Sequence, residues 1–343
     1  MDDETRPRIP ISADWVLKRI QEGKRVRLKN AIIKGNLNPD VKIIQSCIKI
    51  TNSTIYGEIN FYDATFYESV CFEGVTIYED VKLNVVTFRE NASFQGTTFI
   101  GYAWIKRTAF SSYASFERST FREYASFQGT TFRENASFQG TTFIGSAHFE
   151  ETTFIREAWF QGTMFNRNAL FAEATFSMDT TFLEATFRSF AYFEETTFKQ
   201  EVSIVGAKFE GEFLTFRNAT FFLPSSMEEA CRKAKNVLAK AGNRDEEEYH
   251  FYREMEAKRI QKGIRGDSGL GLGHILAKTD TWSSWRYFRY DAIEWLFVQG
   301  MFGYGVHPKR LMISWGAIVL AFGFFYWYGD GIIGTTGWLD YIK

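Results

Sequence analysis

Side chains that could hold a metal ion or move a proton are few and scattered in this 343-residue chain. The four histidines lie far apart and share no ligand spacing: His148, His250, His274 and His307. Zinc and similar metals need several such ligands at short, regular spacing. The sequence therefore predicts no metal site.

Two pairs of adjacent carboxylates, Glu150–Glu151 and Glu194–Glu195, come closest to an acid/base pair. A general acid and a general base need a pocket that brings both groups to one substrate. Both pairs stand at positions that the repeat pattern directs outward, where a solvated carboxylate is the ordinary state. We therefore predict no catalytic residue, no cofactor and no enzymatic activity.

Two glycine motifs imitate functional loops. Gly303-Tyr304-Gly305 resembles part of an ion filter, but a filter re-enters between two membrane helices, and this motif precedes the only apolar helix expected. Gly269, Gly271 and Gly273 imitate a phosphate loop, but no strand precedes them and no Lys-Ser/Thr pair follows. We interpret the first motif as a surface turn and the second as a linker.

Charge and cysteine usage narrow the class of protein further. Lysine and arginine number 40 against 41 aspartates and glutamates, so no one-sided nucleic-acid surface is indicated. Cys47, Cys71 and Cys231 lack any CxxC or metal spacing, which favours reduced thiols. The charged N-terminus contains no stretch typical of a signal peptide. We therefore expect the bulk of the chain to lie in the cytoplasm.

Large apolar residues recur from Phe88 onward at spacings that alternate between six and five, and the same spacing extends back to Ile50. The thirteen residues that define this structural ladder are Phe94, Phe99, Phe110, Phe116, Phe121, Phe127, Phe132, Phe138, Phe143, Phe149, Phe154, Phe160 and Phe165. A small residue stands two positions before each large one, as Ala136 does before Phe138. One large and one small inward residue cannot bury a core alone, so successive turns must stack.

The units ASFQG, TTFRE, ASFQG and TTFIG between positions 125 and 145 resemble those of the pentapeptide-repeat family. The resemblance implies a mainly β fold, a right-handed quadrilateral β-helix with four faces per coil. The family unit is usually a strict five, whereas this spacing alternates, so 20 and 22 residues per coil both stay open. With 22, the repeat would make roughly eight coils rising about 40 Å.

The ends of the solenoid need caps, because an open sheet edge invites aggregation. Ser12 before an apolar pattern with Trp15, Val16 and Ile20 predicts a capping helix within residues 1–25, and the β-helix follows over 26–223. A capping box of Ser225 with Glu228 then predicts the first of two helices. The second begins after a cap at Asp245 and ends before Gly263. Together they form a helical hairpin over 224–263.

Residues 264–308 are predicted to form a linker and an aromatic interfacial helix, with membrane lipid as a partner. Residues 309–343 are predicted to contain one transmembrane helix and a short tail, because no charge interrupts Leu311 to Tyr328. Lys309 and Arg310 set its orientation by the positive-inside rule, which places the β-helix in the cytoplasm. The expected location is thus the cell membrane, as a single-pass protein.

The order of β-helix, hairpin, FGYGVHPKRL and apolar helix resembles prokaryotic pentapeptide-repeat proteins fused to a two-helix potassium-channel-like module. In that arrangement a pore helix, a T-x-G-[YF]-G filter and a second membrane helix follow. This chain reaches Lys343 before any of them. A fragment and a member that lost its pore both stay open.

The favoured function is a membrane-anchored, non-enzymatic cytoplasmic β-helix scaffold for protein interaction, as the sensory or assembly part of an ion-channel-like protein. The alternative is a DNA-mimicking, topoisomerase-binding protein. It fits less well because the segment between Phe88 and Phe209 contains 13 acidic and 11 basic residues. A surface that mimics DNA phosphates should carry a large excess of acidic residues. The identity of the protein partner and the presence of a homo-oligomer stay open, and no nucleic acid is expected.

Overall fold

The computed structural model describes residues 9–266 and positions 316, 319 and 320. The chain divides into two compact units, Met1–Lys258 and Arg259–Lys343. The first unit is a parallel β-solenoid of about ten turns with helices at both ends, and its four sides are separate sheets. The predicted linker beyond residue 266, the interfacial helix and the transmembrane segment 309–343 lie outside the described residues, apart from those three positions.

From Val26 onward the chain meets four faces in turn, and the first of these is face I. Its nine strands in the described residues are Val26–Lys29, Ile48–Thr51, Val70–Cys71, Ala92–Ser93, Ala114–Ser115, Ala136–Ser137, Ala158–Trp159, Thr180–Thr181 and Val202–Ser203. The ten described strands of face II are Ile9–Ser12, Ala31–Lys34, Thr54–Tyr56, Thr76–Ile77, Thr98–Phe99, Thr120–Phe121, Thr142–Phe143, Met164–Phe165, Thr186–Phe187 and Lys208–Phe209.

Face III follows face II in each coil. Its eight described strands are Ile59–Asn60, Val81–Lys82, Ala103–Trp104, Ala125–Ser126, Ala147–His148, Ala169–Leu170, Ala191–Tyr192 and Leu214–Thr215. Face IV closes the coil, and its nine described strands are Ile43–Ile44, Thr65–Phe66, Thr87–Phe88, Ala109–Phe110, Thr131–Phe132, Thr153–Phe154, Thr175–Phe176, Thr197–Phe198 and Thr220–Phe221.

A regular coil takes 22 residues, as the parallel pairing of Ala92 with Ala114 and of Ala114 with Ala136 demonstrates, and the last coil takes 23, from Ala191 to Leu214. This resolves the choice between 20 and 22. The five-residue steps contain a tight turn whose third residue has a positive φ, such as Gly129 (66°), with the amide of Thr130 donating to the carbonyl of Phe127 (3.0 Å). The six-residue steps turn without a left-handed residue, which makes them wider. The alternation of five and six is therefore an alternation of two corner types.

The solenoid begins earlier than predicted. Ile9–Ser12 is a strand that pairs with Ala31–Lys34, although this segment was predicted to belong only to the capping region. Pro10 fits an edge strand, where a missing N–H is tolerated. The additional turns at both ends raise the number of coils to about ten, above the eight predicted.

Helix α1, Ala13–Gln21, has the predicted N-cap, since the Ser12 hydroxyl accepts from the Asp14 amide at 3.2 Å. Val16 and Ile20 are buried and join the core of the solenoid. Trp15 does not, since its side chain is 43% exposed and the Arg19 guanidinium lies 5.1 Å from the ring centroid. The helix therefore seals the first coil with its aliphatic residues.

Helix α2 spans Pro224–Ala241 and buries Met227, Ala230, Cys231, Ala234 and Leu238. The predicted Ser225–Glu228 capping box is wrong. Leu223 is the N-cap and makes no side-chain bond, while Pro224 starts the helix because its fixed φ suits the first turn. The neighbouring Ser226 hydroxyl instead accepts the amide of Val202, on the last strand of face I, at 3.0 Å.

Helix α3 spans Arg244–Gly266. The predicted cap at Asp245 is also wrong, because the Asn243 side chain accepts the Glu246 amide at 3.4 Å. The helix continues three residues past Gly263, since an interior glycine costs a helix only about 1 kcal/mol. The predicted hairpin boundary therefore falls inside the helix.

Candidate interaction surface

The thirteen ladder residues all lie inside the solenoid and are at most 2% exposed. Successive rings stack within each face, as Phe127 and Phe149 do with centroids 4.8 Å apart and planes 2° apart. Columns from facing sheets meet edge to face, as Phe127 and Phe138 do at 5.3 Å and 89°. These side chains hold the coils together and are inaccessible to a partner.

Small inward residues divide into two groups that the sequence analysis did not separate. Alanines begin the strands of faces I and III, whereas Thr or Ser follows most tight turns. The Thr163 hydroxyl donates to the carbonyl of Phe138 at 2.7 Å, and Thr196 donates to Phe171 at 2.8 Å. Each such bond joins two residues that are 25 apart in the sequence and lie on adjacent coils. The regular alternation of Ala and Thr in the sequence could have indicated these two groups.

The side chains that could bind a metal or transfer a proton do not come together in one site. His148 lies on face III with its Nδ1 2.8 Å from Glu150 Oε1. Glu151 sits at the next corner, where its carboxylate accepts from Gln128 Nε2 at 3.1 Å. Within the described part of the chain, His, Cys, Asp and Glu form no group of three or more suited to a metal ion.

His250 lies elsewhere, fully buried in α3 against the last coil. Its Nε2 accepts the Phe216 amide at 2.9 Å, and its Nδ1 donates to the Glu246 carbonyl at 2.7 Å. Burial lowers the pKa of the imidazole, which keeps it neutral and able to accept. His250 therefore fastens the cap to the solenoid.

The cysteines are separate thiols. Cys47 and Cys71 are partly buried, and Cys231 is buried in α2. Burial raises the pKa of the Cys231 thiol to about 12, so it stays protonated and unreactive.

The core is uniform, so the coils differ mainly in their outward-facing residues. Equivalent outward positions on successive coils form rows along each face. Faces I and III have the same strand form, an inward alanine followed by an outward residue. On face I the outward residue is Ser or Thr in most coils, as at Ser93, Ser115 and Thr181. Ser137 on this face is fully covered, between Ser115 and Trp159 in the sheet.

Face III carries larger side chains in this row, namely Trp104, His148, Leu170 and Tyr192. On the coil between Trp104 and His148 the row holds the buried Ser126, and Tyr124, two residues earlier, supplies the ring. We define the aromatic strip by its residues on successive coils: Trp104, Tyr124, His148, Leu170 and Tyr192. The ring centroids of Trp104 and Tyr124 are 5.0 Å apart, and those of Tyr124 and His148 are 4.5 Å apart.

The strip continues in register, because His148 pairs with Leu170 and Leu170 with Tyr192. Tyr102 (45% exposed) and Phe190 (38% exposed) border it. Four coils separate Trp104 from Tyr192, a rise of about 19 Å.

The solenoid itself does not require this strip, since face I folds with hydroxyls in the same row. The strip residues are half-buried and adjoin the exposed Tyr102 and Phe190, and contiguous apolar surface of this kind is typical of an interaction site. The strip is not apparent in the sequence because its members come together only when successive 22-residue coils are stacked, and the sequence left the coil length open.

The remaining predicted site residues belong to the C-terminal part of the sequence. Lys309, Arg310, Gly303-Tyr304-Gly305, the Gly269–Gly273 motif, His274 and His307 all lie outside the described residues. Among the helices that the structure does describe, none combines the length and hydropathy needed to cross a bilayer.

A family model for pentapeptide repeats (9 copies) matches residues 61–109, 127–175 and 171–220. No curated protein and no solved structure matches the chain. The matched segments lie within the four-sided solenoid, so the repeats and the coils are the same structure.

Proposed function

The chain carries pentapeptide repeats, and we propose that it is a membrane-anchored, non-enzymatic scaffold that presents the solenoid to a protein partner. The observation that carries this proposal is the aromatic strip on face III. Most of it stands on a row that faces I and III share in form, and it contributes half-buried rings where face I carries mainly hydroxyls. The near balance of charge along the repeat does not favour the DNA-mimicking alternative.

A photo-crosslinking scan tests the scaffold role. Benzoylphenylalanine is introduced at one outward position per face, at Leu170 (face III), Thr181 (face I), Met164 (face II) and Ser177 (face IV). We expect a discrete crosslinked species from at least one face in cells, competed by added wild-type chain. The absence of any such species from all four faces would contradict a scaffold.

The membrane part of the proposal rests on the uncharged segment from Leu311 to Tyr328 and on Lys309 and Arg310 before it. In this arrangement the solenoid is the cytoplasmic sensory or assembly part of an ion-channel-like protein. We expect the full chain in the membrane fraction and a variant without residues 302–343 in the supernatant. The solenoid should resist protease added outside intact cells, and digestion from that side would reverse the proposed orientation.

A further inference from the structure

The aromatic strip is flanked by a carboxylate edge formed by Glu150, Glu151, Glu173, Glu194 and Glu195. These residues follow His148, Leu170 and Tyr192 by two or three positions on three successive coils. The edge therefore runs beside the C-terminal half of the strip. Glu151, Glu173 and Glu195 occupy the tight corner with positive φ values of 58°, 59° and 56°. Rings and carboxylates therefore share one surface.

These carboxylates are poorly neutralised by the protein itself. In the described part of the chain, no lysine or arginine forms an ion pair with Glu173, Glu194 or Glu195. Glu150 contacts His148 through one oxygen, while its second oxygen is shielded from solvent and accepts no hydrogen bond from any described residue. Glu173 and Glu195 are exposed, so a cationic partner can reach their carboxylates.

Burial and the nearby Glu194 raise the pKa of the Tyr192 phenol, which agrees with a negative field at this end of the strip. On the opposite edge, Glu123 and Arg167 offset each other. At the other end, Lys106 and Arg107 stand beside Trp104. The field is therefore negative around His148, Leu170 and Tyr192, which disfavours nucleic acid and anionic lipid as occupants of this part of the strip.

We infer that face III binds a basic segment of a partner protein, with arginine side chains lying on the rings of the aromatic strip and bonded to the carboxylate edge. This inference rests on the proposed scaffold function and names the chemistry of its partner. A guanidinium stacks on an aromatic face and also bonds a carboxylate through two N–H groups. Lysine offers a point charge without the planar stack, so arginine should be preferred.

The test uses the full-length chain in a detergent with an uncharged head group and a fluorescein-labelled 12-residue peptide of alternating arginine and glycine. Fluorescence anisotropy at about 0.15 M salt measures its affinity, since this salt screens exposed charges beyond about 8 Å. Lysine and glutamate versions of the peptide are the comparison probes. We expect saturable binding, weaker binding of the lysine version and none of the glutamate version.

Two triple variants separate the site from general attraction. Glu173→Gln, Glu194→Gln and Glu195→Gln neutralise the carboxylate edge, whereas Glu157→Gln, Asp179→Asn and Glu201→Gln neutralise three carboxylates on successive coils of face I. We expect the first set to weaken binding at least about tenfold and the second less than about twofold. Tyr192→Ser, which keeps every charge, should weaken binding about fivefold.

Equal losses from the two triple variants would overturn the inference, because charge alone would then explain binding. No saturable binding of the arginine peptide would also overturn it. A concentration-dependent dimer lost in Tyr192→Ser would assign the strip to a second copy instead. If the crosslinking scan finds a partner on another face while the peptide test fails, the scaffold role stands and only this inference falls.

Discussion

At the residue scale, the ladder is a set of aromatic contacts that repeat with little change. Phe138 is 0% exposed and stacks on Phe116 and Phe160, both at 5.0 Å, while Phe127 and Phe149 meet it edge to face at 5.3 and 5.2 Å. The surrounding rings are held in register by strand pairing, so they cannot collapse into a gap. Stability should therefore depend strongly on single rings.

We predict that Phe138→Ala lowers the free energy of unfolding by about 3 to 5 kcal/mol, because it removes a ring and leaves a cavity that cannot close. Urea unfolding followed by far-ultraviolet circular dichroism measures the loss. Arg133→Ala, at an exposed position of the same coil, is the control and should change the midpoint little. A Phe138→Ala midpoint equal to that of the control would contradict the ladder's role in stability.

Backbone strain is concentrated at Val85. This β-branched residue has φ 62° at a tight corner where the coils two and three further along place Gly129 and Glu151. We predict that Val85→Gly stabilises the chain by about 1 kcal/mol, because glycine adopts this conformation without the steric cost of a Cβ. Its side chain is 43% exposed, so little buried contact is lost.

The matched control reverses the change. Gly162 has φ 63°, and a Cβ built there meets no atom within 4 Å, so Gly162→Val adds strain without a clash. It should lower the urea midpoint by an amount similar to the gain from Val85→Gly. A destabilised Val85→Gly variant would mean that the valine side chain contributes more than its backbone costs.

At the element scale, the sequence predicted the repeating coils correctly but not the starts of the C-terminal helices. The spacing of the ladder predicted stacked coils because the apolar pattern has to repeat to bury itself. The capping positions at Ser225 and Asp245 were wrong because local motifs compete: Pro224 and Asn243 start the helices, and Ser226 bonds Val202 on the last coil. The aromatic strip is a long-range pattern, hidden until the coil length is known.

The C-terminal cap is fastened by polar contacts that titrate. Besides His250, the Arg217 Nε donates to Glu246 Oε1 at 2.7 Å, and Arg253 donates to the Ala219 carbonyl at 2.9 Å. Burial lowers the pKa of His250 most, Glu246 opposes this shift, and Arg217 and Arg253 add to it. Protonation would remove the acceptor of the Phe216 amide.

We therefore predict that acid loosens the cap. Since the folded-state pKa of His250 lies below its ordinary value of 6.5, its stabilising effect is complete above that pH. The effect is lost progressively as the pH falls through 6.5 toward the lowered value. The urea midpoint should fall between pH 7.5 and 5.5, and less so in His250→Gln, whose amide oxygen can accept without titrating. Equal pH dependence in both proteins would exclude His250 as the cause.

At the scale of the whole molecule, the structure separates stability from recognition. Stacked coils contact only their neighbours, so stability is approximately a sum over coils and interfaces, and outward rows can vary freely. The aromatic strip and the carboxylate edge occupy such rows on one face. The account therefore depends on one central claim, that the chain is a four-faced solenoid with a coil of 22 residues.

Removal of one coil tests this claim most directly. Deleting residues 112–133, which are 22 residues, joins Ser111 to Glu134 in unchanged register, whereas deleting residues 112–131 removes the 20 residues of four strict five-residue units. We predict that the 22-residue deletion keeps the β-type circular dichroism spectrum and cooperative urea unfolding, because every remaining ring still stacks on its equivalent. The 20-residue deletion should lose both. The reverse result, or equal tolerance of the two deletions, would contradict a 22-residue coil.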